Sequence, residues 1–256
     1  MSSPSRTRCG VGKTTTAVNL GTALAAVGRS VLLLDLDPQG NASTSFGVAP
    51  QHREMTSYDL LMGSDPLPDV LLPTAIPNLS LVAATTDLSS VDVEIAAERD
   101  RTHRLATALD GALAAWDYVL IDCPPSLNLL TLNALVAARS VLVPLQCEFF
   151  ALEGLSQLIQ TVREVRQTLN PALDVGGIVL TMYDRRNNIS AQVAQDVRDN
   201  LGDLVFETII PRNVRLSEAP SHAMPALLYD HTSAGSVAYQ KLAAELLRRH
   251  DDPIAA

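Results

Sequence analysis

A glycine-rich stretch near the start of the sequence, RTRCGVGKTTT, contains the residue types that bind phosphate groups. Gly10 and Gly12 allow backbone N–H groups to converge on phosphate oxygens, and a helix that follows them adds the positive end of its dipole. Lys13 can reach the outer phosphates of a nucleotide, and the Thr14 hydroxyl can ligate Mg²⁺. The G-x-x-x-x-G-K-[ST] spacing is not met, because Thr7 stands where the first glycine belongs. This stretch alone therefore leaves phosphate binding open.

Three aspartates follow apolar stretches further along the chain. Asp35 and Asp37 end the run LLLDLD, where a sharp turn is expected at Pro38-Gln39-Gly40, and Asp122 ends the run YVLID. A carboxylate at the end of a strand can reach a metal or orient the attacking water in phosphoryl transfer, and a second one can hold a Mg²⁺-bound water. A single aspartate at such a place is more often a solvated residue. The three elements together favour a site that binds and hydrolyses a nucleotide.

Strands and helices must position these residues, and the sequence predicts that they alternate. Strands are predicted from continuous apolar runs at Arg29–Asp37, Trp116–Pro125, Arg139–Gln146 and Leu173–Tyr183. Helices are predicted at Thr14–Val27, Arg101–Ala115, Leu127–Ala138, Leu152–Leu169, Ser190–Leu201 and Ser233–His250, with Gly28 ending the first. Continuous apolar strands suit a parallel sheet that is covered on both faces. We therefore predict an α/β fold with a doubly wound, mostly parallel sheet, helices on both faces and ligands at the carboxyl ends of the strands.

Composition limits the class of protein. The 256 residues, 47% of them hydrophobic, are expected to form one domain over residues 1–256, with Gly63–Asn78 as a proline-rich surface excursion. The net charge of −9 argues against a protein coated in basic residues, although a local basic patch is compatible with it. The three cysteines have no paired C-x-x-C, so neither a disulfide framework nor a zinc site is indicated. Without a long apolar run or a signal-peptide pattern, we expect a soluble, cytoplasmic protein.

Three blocks of the sequence resemble the ParA/Soj partition ATPases of the deviant Walker A class. They are GVGKTTTAVNLGTALAAVGRSVLLLDLDPQGNAST, YVLIDCPPSLNLLTLNAL and IIPRNVRLSEAPSHAMPALLYD, and the resemblance runs from about Gly10 to about Leu247. The segments DPQGN and PRNVRLSEAPS indicate partition proteins rather than MinD proteins or the nitrogenase iron protein. A MinD-like membrane-surface ATPase remains an alternative, although KLAAELLRRHDDPIAA lacks a lysine-rich amphipathic tail. Cys123 and Cys147 are expected to be small buried or half-buried residues rather than cluster ligands.

The resemblance implies a P-loop NTPase-like fold, ATP and Mg²⁺ as cofactors, and roles for the matching positions. Lys13 and Asp37 would act in catalysis, Asp37 by positioning the hydrolytic water. Thr14, Asp37 and Asp122 would form the metal site. The nucleotide would contact the loop and a segment beside the adenine base, which comprise Cys9, Gly10, Val11, Gly12, Lys13, Thr14, Thr15, Pro211 and Asn213.

The resemblance also implies partners. ATP would close two subunits into a homodimer that binds DNA without sequence preference, works with a ParB-type protein, associates with the nucleoid and does not bind membranes. Arg186 and Arg215 match the positions that carry the DNA contact. A few arginines on phosphates would give weak, salt-sensitive binding even on an acidic protein.

The first nine residues depart from the family's pattern. The family's loop begins K-G-G, where this chain has Arg8, Cys9 and Gly10. Arg8 replaces the catalytic lysine that crosses the dimer, and it keeps the charge but not the compact ammonium geometry. Cys9 replaces a glycine at a point where the two subunits approach closely. A catalytically impaired nucleotide-binding or interaction protein on the same scaffold is therefore a second alternative.

The family's central strand is also missing or altered, because MSSPSRT contains no large apolar residue that could replace a strand such as V-V-A-I-A-N-Q. One back-translation of Ser2–Arg8, read in the register that starts with the G of the start codon, encodes V-V-A-I-A-N-Q. We therefore hypothesise that residues 1–9 are a frameshift product. The nucleotide sequence of this segment tests the hypothesis.

Overall fold

The computed structural model describes residues 12–148 and 151–251, in which strands and helices alternate. The strands are β1 (Val31–Asp35), β2 (Leu71–Pro73), β3 (Leu79–Val82), β4 (Tyr118–Asp122), β5 (Ser140–Gln146) and β6 (Asp174–Thr181). The helices are α1 (Lys13–Ala26), α2 (Asn41–Ser45), α3 (Ser57–Met62), α4 (Val91–Glu94), α5 (Arg104–Leu109), α6 (Leu129–Ala137), α7 (Ala151–Thr168), α8 (Asn188–Leu201), α9 (Val214–Glu218), α10 (Ala226–Tyr229) and α11 (Ala234–Asp251). The predictions for Arg8, Cys9, Gly10, Val11 and the first strand lie outside the described residues.

The strands form a mostly parallel sheet, as predicted. Four of them have the order β2-β3-β1-β4, in which only the β2–β3 pair is antiparallel. In the described part of the chain, β5 and β6 form a second, parallel pair. Helix α1 contacts β1, β3, β4 and β5, so it lies across both groups of strands.

Helices cover both faces of the sheet, because successive side chains of β1 point to opposite sides. Val31 packs with residues of α1 and α11, and Leu33 packs with Val18 of α1. Leu32 and Leu34 pack on the other face, in a cluster formed with α3, α5 and α6. All five residues of β1 are buried. The predicted doubly wound architecture is confirmed.

Two parts of the sequence prediction need correction. The predicted helix Arg101–Ala115 is shorter, consisting of α5 and a separate 3₁₀ turn at Leu113–Ala115. The segment Gly63–Asn78 is not a surface excursion, because it contains β2 and its Leu67 and Val70 side chains are buried. Prolines mask the strand in the sequence, and they are tolerated since β2 is at the edge of the sheet.

Helix α1 is fixed at both ends and along its buried face. It begins after Gly12, which has a φ of 87°, and it ends before the predicted stop signal Gly28, which has a φ of 86°. Near its start, the Thr16 hydroxyl shares a hydrogen bond of 3.1 Å with the buried Tyr239 hydroxyl of α11. The last helix therefore supports the first turns of α1. No helix in the described ranges is long and apolar enough to cross a bilayer.

Candidate active site

Lys13 begins α1 and ties it to the segment that follows β4. Its ammonium donates a hydrogen bond of 3.0 Å to the Pro124 carbonyl oxygen. Burial lowers the pKa of Lys13, while the nearby Asp122, Cys123 and Asp37 act in the opposite direction. Lys13 therefore lies among acidic groups at the carboxyl ends of β1 and β4, in a place where it can meet the negative charge of a phosphate.

Asp35 is a structural carboxylate. It is fully buried, and it accepts hydrogen bonds from the Ser43 amide (2.9 Å), the Ser43 hydroxyl (2.7 Å) and the Asp37 amide (3.2 Å). Burial raises the pKa of Asp35, and the bonds from Ser43 and Asp37 lower it. Because its oxygens are occupied in this way, Asp35 holds the chain beyond β1 rather than facing a ligand.

Asp37 lies in the turn that follows. Its Oδ1 accepts a hydrogen bond of 3.0 Å from the Gln39 amide, and its carbonyl accepts one of 2.8 Å from the Gly40 amide. The side chain is largely buried, and its charge acts on both Lys13 and Asp122. The turn therefore brings the Asp37 carboxylate to the same place as the amino end of α1.

Asp122 ends β4 and lies opposite Asp35 in the parallel register. It is only 2% exposed, and its Oδ2 has no hydrogen-bond partner among the described residues. Burial, followed by the Asp35 charge, raises the pKa of Asp122 to about 7, although a hydrogen bond with the Thr14 hydroxyl and the charge of Lys13 oppose the shift. A buried carboxylate oxygen without a partner is costly, and a bound cation or its water would satisfy it.

These residues fit a Mg²⁺ ion that a nucleotide helps to hold. The described ranges contain no group of three or more His, Cys, Asp or Glu side chains that could hold a metal by themselves. Mg²⁺ at nucleotide sites is typically bound by one or two protein groups, with waters and phosphates completing its shell. Thr14 and Asp122 can supply the protein side, with Asp37 next to them.

Comparisons with known proteins identify the family of this chain. A family model described as an AAA domain matches residues 3–175. The chain is 57% identical over 245 residues to the "Chromosome partitioning protein ParA" of Caulobacter vibrioides (strain NA1000 / CB15N), which covers 95% of this chain and 92% of that protein. It is 51% identical to the "Chromosome-partitioning ATPase Soj" of Treponema pallidum (strain Nichols), covering 94% of each. The chain belongs to the ParA/Soj family of chromosome-partitioning ATPases.

A solved structure relates the fold of this ParA/Soj family member to its cofactors. It is that of "Cobyrinic Acid a,c-diamide synthase from Mycobacterium smegmatis with bound ATP analog and Magnesium". The two chains are 37% identical with a TM-score of 0.84, and the match covers 96% of this chain and 92% of that one. The predictions of a P-loop NTPase-like fold, of an ATPase, and of ATP and Mg²⁺ as cofactors are confirmed.

The remaining predicted residues of this ParA/Soj chain lie on two neighbouring segments. A parallel bridge joins Tyr183 to Pro211, so the loop that carries Arg186 runs beside the segment that leads into α9. The Asn213 side chain accepts a hydrogen bond of 2.9 Å from the Arg215 amide and thereby caps α9. The structure thus brings Pro211, Asn213, Arg186 and Arg215 onto adjoining segments that follow the carboxyl end of β6.

Both predicted DNA-binding arginines already have acidic neighbours. Arg186, whose side chain is 90% exposed, pairs with Asp184 at 3.1 Å. Arg215 pairs with Glu218 at 2.8 Å and with Asp230 at 3.4 Å. These ion pairs are solvent-accessible, so replacing the carboxylate partner of each arginine with another anion costs little free energy.

Sequence reasoning missed two residues that hold the Asp37 turn, namely Ser43 and Arg53. Ser43 accepts a hydrogen bond of 3.0 Å from the Ala84 amide in addition to its bonds to Asp35. Arg53 is almost fully buried beside Gly40. The sequence offers one signal, which is Gly40 in DPQGN. A glycine in a turn can indicate that another group packs closely against the backbone, as Arg53 does here.

Cys123 and Cys147 are confirmed as buried or half-buried residues. Cys123 is half-buried and Cys147 is buried. Burial is the main cause that raises the pKa of Cys123 to about 12 and that of Cys147 to about 11. Both side chains pack against apolar clusters of the core.

Proposed function

We propose that this chain is an ATP-dependent dimeric switch that binds DNA without sequence preference and hydrolyses ATP in partition, together with a ParB-type partner. The observation that carries the proposal is the convergence of Lys13, Thr14, Asp37 and Asp122 at the carboxyl ends of β1 and β4. Ligands of open α/β sheets bind at this edge. The high identity with proteins named ParA and Soj supports the partition role.

Each residue has a distinct task in the proposed reaction. The Lys13 ammonium binds the outer phosphates, and the Thr14 hydroxyl and the Asp122 carboxylate hold the metal side of the nucleotide. Bound Mg²⁺ would neutralise charge on the transferring phosphate. Asp37 accepts a hydrogen bond from the attacking water and thereby orients it toward the terminal phosphate. The proposed catalysis depends on the positions of the water and the phosphates and on electrostatics, rather than on a covalent intermediate.

The proposed DNA contact rests on the exposed arginines. Arg186 and Arg215 lie on adjoining segments, and both side chains are at least half exposed. Phosphates can replace Asp184 and Glu218 as partners of these arginines, because surface ion pairs contribute only about 0–1 kcal/mol. Two such contacts in each of two subunits would give weak binding that depends on salt.

A membrane-surface role is less well supported. The apolar residues of α11, among them Tyr239, Leu242 and Leu246, are buried in a cluster with α1. This apolar face is therefore used within the fold, and an interfacial helix needs such a face free. The non-cycling alternative is favoured by one sequence observation, the replacement of the family's K-G by Arg8 and Cys9.

Turnover and DNA binding distinguish these functions. Hydrolysis of ATP would be measured for the chain alone, with DNA, and with DNA and a ParB-type partner. Retention on DNA would be measured in ATP and in ADP. The switch requires DNA retention in ATP only and turnover that rises with DNA and partner. ATP binding without turnover under any of these conditions would identify a non-cycling protein. Sedimentation with liposomes in ATP, but not in ADP, would identify the membrane-surface alternative.

A further inference from the structure

Arg53 belongs to none of the phosphate- or metal-binding motifs, yet its guanidinium lies against the Asp37 turn. Its side chain is 9% exposed. We propose that Arg53 is a positioning residue for hydrolysis, which fixes the turn that carries Asp37 so that the carboxylate stays aligned with the attacking water. The inference rests on the proposed function, since the role of Asp37 is part of it.

The Arg53 guanidinium makes four hydrogen bonds in different directions. Nη1 donates to the Ala84 carbonyl (2.9 Å), and Nη2 donates to the Thr44 hydroxyl (2.8 Å) and the Val48 carbonyl (2.7 Å). Nε donates to the Val48 carbonyl as well (3.1 Å). Only a planar group with several fixed N–H donors can serve these three acceptors at once, and a lysine ammonium cannot reproduce the pattern.

A short chain of hydrogen bonds leads from Arg53 to Asp37. The Thr44 hydroxyl, which accepts from Arg53, donates to the Gly40 carbonyl at 2.9 Å. The Gly40 amide in turn donates to the Asp37 carbonyl at 2.8 Å. The guanidinium therefore fixes the far end of the Asp37 turn through α2.

Direct packing supports the same conclusion. Gly40 has a φ of 59°, and a β-carbon at this position would overlap the Arg53 Nη1 atom and lie 3.0 Å from the Ala84 carbonyl oxygen. The left-handed backbone, the Ala84 carbonyl and the Arg53 guanidinium thus each disfavour a side chain at position 40. The overlap with Nη1 shows that the guanidinium lies directly against the turn.

The middle of α2 has a second anchor at Ser43. Asp35 accepts two hydrogen bonds from Ser43, and the Ser43 hydroxyl accepts one of 3.0 Å from the Ala84 amide. Ala84 thus contacts both anchors, Ser43 through its amide and Arg53 through its carbonyl. Loss of Arg53 would leave the hydrogen bonds between Ser43 and Asp35, and that between Lys13 and Pro124, in place. It would remove the contacts that hold Gly40 at the end of the Asp37 turn. The defect should therefore appear in hydrolysis rather than in nucleotide binding.

The test compares Arg53→Met and Arg53→Lys with the parent chain. ATP affinity would be measured with labelled ATP, turnover as kcat, and folding as Tm. We expect Arg53→Met to lower kcat by about tenfold or more, as small misalignments do, with little change in ATP affinity. Arg53→Lys should retain more turnover than Arg53→Met, because it keeps the charge and part of the hydrogen bonding. Equal losses of affinity and kcat, or no loss of kcat, would overturn the proposal.

Arg104→Met is the matched control. Arg104 is another partly buried arginine, which donates to the Met62 carbonyl at 2.9 Å and pairs with Glu98, at a place without contact to the Asp37 turn. Its replacement should lower Tm, but kcat measured at temperatures below the melting transition should stay unchanged. A comparable fall in kcat for this control would show that general destabilisation explains the Arg53 result and would overturn the positioning role.

A double-mutant cycle tests the packing without relying on one variant. Gly40→Ala should reduce kcat in both backgrounds, because the left-handed φ and the Ala84 carbonyl oppose a side chain in each. The reduction should be larger in the parent than in an Arg53→Ala background, because only the parent adds the overlap with Nη1. Additive losses would contradict the proposal. Failure of the proposed function is distinguishable, because Asp37→Ala would then keep its turnover. If Asp37→Ala stops turnover while the Arg53 variants do not, only the positioning role is wrong.

Discussion

Asp35 and Asp122 lie opposite each other at the ends of two adjacent parallel strands, and they satisfy their carboxylates in different ways. Asp35 accepts three hydrogen bonds from Ser43 and Asp37. Asp122 Oδ2 has no partner within the described residues. One member of the pair thus stabilises the fold, and the other remains available to a cation.

Asp122→Asn should stabilise the ligand-free protein at high pH. Folding raises the pKa of Asp122 from 3.8 to about 7, so the folded state binds the proton more tightly than the unfolded state does. The carboxyl therefore contributes stability below its unfolded pKa and loses this contribution as the pH rises toward 7. A shift of this size corresponds to on the order of 4 kcal/mol.

Melting temperatures of parent and Asp122→Asn, measured across this pH range without nucleotide, check the prediction. The variant should melt higher than the parent above pH 7, and the difference should shrink toward pH 4. Asp69→Asn, an exposed acid away from the site, is the control. A constant difference at every pH would show that the stability effect does not come from the titration of Asp122.

Lys13→Ala should abolish nucleotide binding. Its ammonium donates a hydrogen bond to the Pro124 carbonyl, and it lies where the outer phosphates are expected. Binding of labelled ATP would be compared with that of Lys241→Ala, since Lys241 is exposed on α11. Unchanged ATP affinity in Lys13→Ala would refute the assignment of the phosphate loop.

Asp37→Ala should keep ATP binding and stop turnover, because the proposed role of Asp37 concerns the attacking water and not the phosphates. The contrasting variant is Asp35→Ala. It should lower Tm substantially, because it leaves the buried donors of Ser43 unpaired at about 1–3 kcal/mol for each lost partner. If Asp37→Ala loses binding and turnover together, Asp37 is structural as well.

Arg186→Glu or Arg215→Glu should weaken DNA binding while ATP affinity stays unchanged, because both arginines pair with surface carboxylates and neither is among the groups whose charges act on Lys13. Retention on DNA would be measured at increasing salt, and binding by the parent should fall steeply without sequence preference. Arg166→Glu, which removes another exposed ion pair, is the control. Salt-independent binding, or a preference for one DNA sequence, would contradict a contact made with phosphates alone.

Much of the fold could be predicted from the sequence because its signals are local. The apolar runs VLLLD and YVLID give β1 and β4 within two or three residues of the predicted bounds, and Gly28 follows the end of α1 as expected. The strands β2 and β3 were not predicted. Leu71–Pro73 is short, contains a proline and is recognised only through its pairing with β3, which has only four residues itself.

The sequence predicted which residues form the candidate site, but it did not predict which of its aspartates are structural. Asp35 and Asp37 both end the same apolar run, and the spacing in the sequence does not distinguish them. The distinction comes from Ser43, eight residues after Asp35, which donates hydrogen bonds to the Asp35 carboxylate. Arg53 was missed for a similar reason, because its acceptors Val48 and Ala84 are backbone carbonyls and carry no signal of residue type.

The contact between Thr16 and Tyr239 joins the beginning and the end of the described chain, more than two hundred residues apart. During synthesis on a ribosome, α1 emerges early, whereas α11 becomes available only when translation is almost finished. Helix α1, which begins with Lys13, therefore cannot pack against α11 until the last part of the chain has left the exit tunnel. A nascent or prematurely terminated product that lacks α11 therefore lacks the Tyr239 contact near the start of α1.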